Sequence, residues 1–224
     1  MARRGERLLD LVDVMDRLRS PGGCPWDARQ THESLVEYLL EEAYETVEAI
    51  ESTDSEHLRE ELGDLLLQVI FHARIAQEEQ DEGWDIDAVA EGIITKLIRR
   101  HPHVFADARA ETAADVEANW HALKAAEKGR ASVTEGIPEA LPALLRAHKI
   151  LSRSANINIE APKGFEAAES LLDGCDVTSQ ETYGDLLFAL VAAGREQGWD
   201  AEAAMRGAVR RRIDQVREAE KSDG

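Results

Sequence analysis

Cysteine is nearly absent from this chain of 224 residues: Cys24 and Cys175 stand far apart and outside any CxxC pair. Two isolated thiols make no disulfide framework and fit a reducing compartment. Long apolar runs are missing too, since no stretch reaches the roughly 18 uninterrupted apolar residues that span a bilayer. The opening MARRGERLLDLVD meets its acids too early for a secretory signal. The expectation is a cytoplasmic protein with no membrane association. Positive charge is scarce: 26 Lys+Arg oppose 45 Asp+Glu, a net charge of −19, so a nucleic-acid polymer would be repelled. Disorder is excluded by composition, because 43% of residues are apolar and 32% charged, as in soluble globular domains.

What is present is helical periodicity, and no strand competes with it. The spacing predicts helix one over 6–19, stopped by Pro21-Gly22-Gly23. Ser34 and Glu37 form a capping box for a second helix through Glu51, with Leu35, Leu39, Ala43, Val47 and Ile50 on one face. Helix three is expected over 55–80, helix four over 87–100, and helix five from a Thr112/Asp115 pair to Lys128. GRASVTEGIP from Gly129 to Pro138 reads as a linker, giving segments 1–128, 129–139 and 140–224.

Beyond the linker the chain echoes itself. Gly63-Asp64-Leu65-Leu66 returns as Gly184-Asp185-Leu186-Leu187, an offset of 121 that also carries Arg74 onto Arg195. Gly83-Trp84-Asp85 returns as Gly198-Trp199-Asp200 at an offset of 115. The pattern is that of an internal duplication with a short deletion in the second copy.

The densest chemistry lies between Glu41 and Asp64, where ten acids accompany a single Arg59. Like charges at helical spacing repel. Glu41, Glu45 and Glu48 share a stripe with Glu42 beside it, and taken alone that is an ordinary solvated helix face. The third helix changes the reading. Leu62, Leu65, Leu66, Leu67, Val69, Ile70, Phe71 and Ile75 surround its axis, which predicts a buried helix with one polar stripe of Glu61, Asp64, Gln68 and His72. Asp64 is then expected to be enclosed. A buried carboxylate without Lys or Arg beside it calls for a cation, and the antiparallel second helix can supply opposing oxygens.

An all-carboxylate donor set suits a hard ion, Mg²⁺ with Mn²⁺ as a substitute, rather than zinc or copper. A di-iron centre would use Glu-x-x-His, and no histidine here has a glutamate three residues earlier. His101 and His103 lack a third zinc ligand and are assigned to a loop or cap. Carboxylate-bound Mg²⁺ keeps positions open for phosphates and water, which predicts a phosphoester or phosphoanhydride substrate. Basic partners are available one turn apart in Lys96 and Arg100, and Lys124 follows Trp120 by one turn. Each pair also has a plain structural role, as helix-terminal cations or as core.

Glu41-Glu42-x-x-Glu45 followed by Glu61-x-x-Asp64 resembles the EExxE…ExxD signature of MazG-type nucleoside triphosphate pyrophosphohydrolases. CPWD at Cys24–Asp27, ELGDLLLQV at Glu61–Val69, KLIRRHPHVF at Lys96–Phe105 and Asn119, Trp120 and Lys124 resemble that family in its order. The resemblance implies an all-α, internally duplicated, dimer-forming four-helix-bundle fold that holds Mg²⁺. It also implies hydrolysis of a nucleoside triphosphate to monophosphate and pyrophosphate by a homodimer, in nucleotide-pool housecleaning. Carried over residue by residue, Glu42, Glu45, Glu61 and Asp64 are metal ligands. Glu41 is a ligand or the group that orients and deprotonates water. Lys96, Arg100 and Lys124 hold the triphosphate, and Trp120 lies beside the nucleotide.

The second half departs from the pattern. At the offset of 121, Glu41, Glu42, Glu45 and Glu61 fall on Pro162, Lys163, Glu166 and Thr182, and only Asp64 meets an acid, Asp185. With Arg100 set against Arg212, Lys96 becomes Ala208. A structural or dimerising second half is the expectation, with a catalytically silent nucleotide-binding protein as the alternative for the whole chain.

Overall fold

The computed structural model describes residues 5–106, 112, 116, 132–155, 164–174 and 179–222, and every regular element among them is helical. The chain divides into two compact units, Met1–Lys124 and Ala125–Gly224. No described helix is long and apolar enough to cross a membrane.

In the first unit, α1 spans Glu6–Arg19, a 3-10 turn Asp27–Arg29, α2 Val36–Ser52, α3 Ser55–Ala76, α4 Ile86–Arg100 and α5 Pro102–Phe105. α1 ends where the sequence places its breaker. The chain doubles back so closely at Gly23 that a Cβ there would collide with the carbonyl oxygens of Arg17 and Leu18, a turn that requires glycine. Buried Met15, Leu35, Ile70, Phe71 and Ile75 then join α1, the α2 approach and α3 in one core, flanked by Leu11, Tyr38 and Leu67. Each such side chain contributes about 1.5–3 kcal/mol on leaving water.

The predicted start of the second helix is corrected. Ser34 does not cap α2, whose N-cap Leu35 has no side-chain bond. Ser34 Oγ accepts from Thr31 N at 2.9 Å and Thr31 Oγ1 accepts from Ser34 N at 3.2 Å, a reciprocal box one turn earlier. α2 and α3 are joined by a two-residue corner. Thr53 takes the left-handed conformation at φ 59, and Asp54 Oδ1 accepts from the backbone of Glu56 and His57. α3 stops at Ala76, four residues before the expected end, and α4 starts under an Asp85 cap on Ala88 N. Helix five, predicted over 112–128, lies almost wholly outside the described residues.

α3 is not buried all round. Glu61, Gln68, Ile70, Phe71, Ala73, Ile75 and Ala76 are buried, but Leu62, Leu66 and Val69 form an open strip. Ile93, Ile94, Leu97 and Ile98 of α4 are also exposed. The hydrophobic pattern marks these positions for burial; among the described residues the first unit covers only one side of α3.

The second unit holds α6 Ala143–Ser154, α7 Gly164–Gly174, α8 Gln180–Glu196 and α9 Ala201–Ser222. Leu151, Val191 and Ala192 form one buried cluster, and Ala168, Leu186 and Ala189 another. α8 leads through Gly198-Trp199-Asp200 into a helix capped by Asp200 on Glu202 N and Ala203 N. α3 leads into α4 by a longer connection, 77–85, that also ends in Gly83-Trp84-Asp85 with Asp85 as the cap.

Candidate metal centre

The α2–α3 hairpin brings the acids together. α2 carries Glu41, Glu42 and Glu45, and α3 carries Glu61 and Asp64. Buried Thr46 and Ala49 let the two helices approach closely, and Thr46 Oγ1 reaches the Glu61 carbonyl oxygen at 3.5 Å. One carboxylate oxygen from each of Glu42, Glu45 and Glu61 lies within 4.8 Å of the others. Burial is graded across this trio. Glu61 is 7% exposed, Glu42 half-buried and Glu45 exposed, so the cluster has a deep floor and an open rim.

Its electrostatics are one-sided. Burial raises the pKa of Glu42, and the charges of Asp64, Glu45, Glu61 and Glu41 push it further in the same direction. All five predicted acids therefore belong to one electrostatic unit centred on Glu42. A divalent ion relieves this repulsion, and the geometry fits one. Bonds of about 2.1 Å in an octahedral shell space ligand oxygens about 3.0 to 4.2 Å apart, which small side-chain adjustments reach from the observed separations. Oxygen-only donors suit a hard cation.

Asp64 was expected to be the enclosed carboxylate; it is half-buried, and Glu61 is the deep one. The apolar cover over this face of α3, Met15 and Leu35 against Phe71 and Ile75, is centred two turns beyond Asp64. Lys96 is exposed on α4, and Arg100 is buried in its last turn. Trp120 and Lys124 lie outside the described residues. His101 serves the junction of α4 and α5, its Nδ1 2.7 Å from the Leu97 carbonyl oxygen.

Two features escape sequence reasoning. His57 Nε2 stands 3.0 Å from Glu61 Oε1, one turn earlier on α3; His-x-x-x-Glu at helical spacing is the signal that could have shown it. His72, on the predicted polar stripe, meets His32 from the turn before α2, a contact no local pattern encodes.

A helical hairpin with an all-oxygen acidic cluster has the donor set and spacing that could hold a divalent ion. The family described as the MazG nucleotide pyrophosphohydrolase domain matches residues 30–105, the stretch that contains this hairpin. A nucleoside triphosphate pyrophosphohydrolase of Escherichia coli K12 is 41% identical, over 94% of this chain and 86% of its own length. The nucleoside triphosphate pyrophosphohydrolase/pyrophosphatase MazG of Thermotoga maritima is 39% identical over 94% and 84%. An uncharacterized 26.1 kDa protein of Streptomyces cacaoi, named for the blaB 3' region, is 49% identical over 96% and 84%. The chain belongs to the MazG family of nucleotide pyrophosphohydrolases.

Proposed function

We infer that the chain hydrolyses nucleoside triphosphates to the monophosphate and pyrophosphate, breaking the α–β phosphoanhydride bond with water. The observation that carries this reading is the convergence of Glu42, Glu45 and Glu61 in a member of the MazG family. Mg²⁺ is the proposed ion, with Mn²⁺ as a substitute, held by Glu42, Glu45, Glu61 and Asp64. Such an ion polarises phosphoryl oxygens and lowers the pKa of a bound water. Glu41, exposed on the α2 rim, orients the attacking water and accepts its proton. Lys96 and Arg100, with Lys124 and Trp120, hold the nucleotide. Without a cation each close carboxylate–phosphate pair would repel by roughly 4 kcal/mol at an effective dielectric near 20.

Catalysis is assigned to the first unit. At the offset of 121 the polar stripe Glu61, Asp64, Gln68 and His72 becomes Thr182, Asp185, Ala189 and Ala193, which supports a degenerate second copy with a structural role. A homodimer accounts for the open apolar strip Leu62, Leu66 and Val69. A cytoplasmic location fits the free Cys24 thiol and a nucleotide substrate.

The test is product analysis on a panel of nucleoside triphosphates with Mg²⁺ or EDTA. Metal-dependent monophosphate and pyrophosphate are expected, with Asp64→Ala and Glu61→Ala losing on the order of 10²–10³ in kcat while staying folded. Diphosphate with orthophosphate would contradict the reaction, and nucleotide binding without turnover would favour a regulatory protein.

A further inference from the structure

Glu61 is the least exposed carboxylate of the cluster, so its orientation cannot be set by bulk water. Among the described residues one side chain is paired with its carboxylate. His57 Nε2 lies 3.0 Å from Oε1, within donating distance, and His57 itself is anchored. Asp54 Oδ1 accepts the His57 backbone N–H at 3.1 Å, which fixes the first turn of α3 and hence the direction from which the ring approaches. Corner, ring and carboxylate thus form a continuous chain from Asp54 through His57 to Glu61.

We propose that His57 is a positioning residue for the metal centre: its Nε2–H holds Oε1 and turns the Glu61 carboxylate toward Glu42 and Glu45. The proposal rests on the metal reading given above. His57 is not one of the converging groups; its Nε2 meets Glu61 Oε1. An ordinary i,i+4 pair on a solvated helix would have both partners in water. Here the histidine side chain is 40% exposed and the glutamate side chain only 10%, and the buried partner is the one that faces the cluster. Partners that orient metal-binding carboxylates govern affinity for the ion without touching it.

The experiment uses the intact chain without nucleotide. Mn²⁺ is titrated in, and the free ion is followed by electron paramagnetic resonance for the wild type, His57→Ala, His57→Gln and Glu61→Gln. Metal-free melting curves are recorded alongside. His57→Ala is expected to weaken Mn²⁺ binding about 10- to 100-fold. His57→Gln, which can donate from a similar place, should recover most of the loss, with all metal-free melting temperatures close together. Wild-type affinity in His57→Ala, with binding lost in Glu61→Gln, would overturn the positioning role and leave the metal centre standing. Failure of Gln to rescue, or a large metal-free loss of stability in His57→Ala, would also overturn it. Unchanged binding in Glu61→Gln would remove the metal reading and this proposal with it.

Discussion

His32 and His72 lie edge to edge, their ring planes 3° apart and their Nδ1 atoms separated by 2.7 Å. At that distance one Nδ1 donates a proton and the other accepts it, so both cannot carry a proton there. Burial, and then the charge of His32, lowers the pKa of His72 below its ordinary 6.5.

Folding stability follows from that shift. The unfolded chain takes up this proton first, so the contribution is complete above pH 6.5 and is lost as the pH falls through the folded-state pKa. The melting temperature should drop by a few degrees between pH 7.5 and pH 5.5. His72→Gln should flatten that slope, and an unaltered slope would show that the pair is not its source.

Glu42 carries the opposite sign. Its raised pKa means that ionisation costs the folded chain more than the unfolded one, so metal-free stability falls as the pH rises above the ordinary carboxylate range. At pH 7 without metal, Glu42→Gln should melt above the wild type, and near pH 4 the two should converge. Added Mg²⁺ should reverse the order at pH 7, because only the wild type gains from binding. Differential scanning fluorimetry with EDTA or Mg²⁺ reads all three conditions.

Arg19 ties the loop after α1 to the end of α3. Its guanidinium bonds both oxygens of Glu78, at 3.0 and 2.8 Å, and the carbonyl oxygens of Asp27 and Gln30, with its side chain only 3% exposed. Glu78 itself is 42% exposed, so removing the arginine does not strand a buried anion. Arg19→Ala should cost about 2–3 kcal/mol, or roughly 4–12 °C in a chain of this size. Arg19→Lys should recover little, since an ammonium cannot fork between carboxylate and carbonyls.

Leu66 sits in the middle of the open strip on α3. On the proposed homodimer reading, Leu66→Glu should yield a folded monomer by light scattering where the wild type is a dimer, because the residue is already 37% exposed. A monomeric wild type, or a dimeric mass unchanged by the substitution, would remove this strip as an interface.

Much of this molecule was legible as sequence. The periodicity of α1 and its Pro-Gly-Gly stop gave both bounds, and the acids of α2 and α3 pointed to one another through a short corner. The errors have common physical causes. Ser34 was read as a cap because Ser-x-x-Glu fits the box, yet Thr31 competes for the same hydroxyl one turn earlier. Leu62, Leu66 and Val69 are as apolar as Phe71, and periodicity cannot distinguish a face that the fold covers from one that it leaves open. Glu61 and Asp64 both lie on the predicted polar stripe; only the approach of α2, whose buried Thr46 reaches the Glu61 carbonyl oxygen, shows which is deeper. His57 falls outside the Glu-x-x-His pattern because its contact runs from histidine to a glutamate four residues later.

The corner at Thr53 and Asp54 also has a kinetic meaning. Glu42 and Glu61 are close along the chain, so closing their hairpin costs little loop entropy and belongs with the fast, local events of folding. The same event forces five like charges together before the core of Met15, Phe71 and Ile75 offers compensation. The centre thus sets its electrostatic penalty in the hairpin that closes earliest.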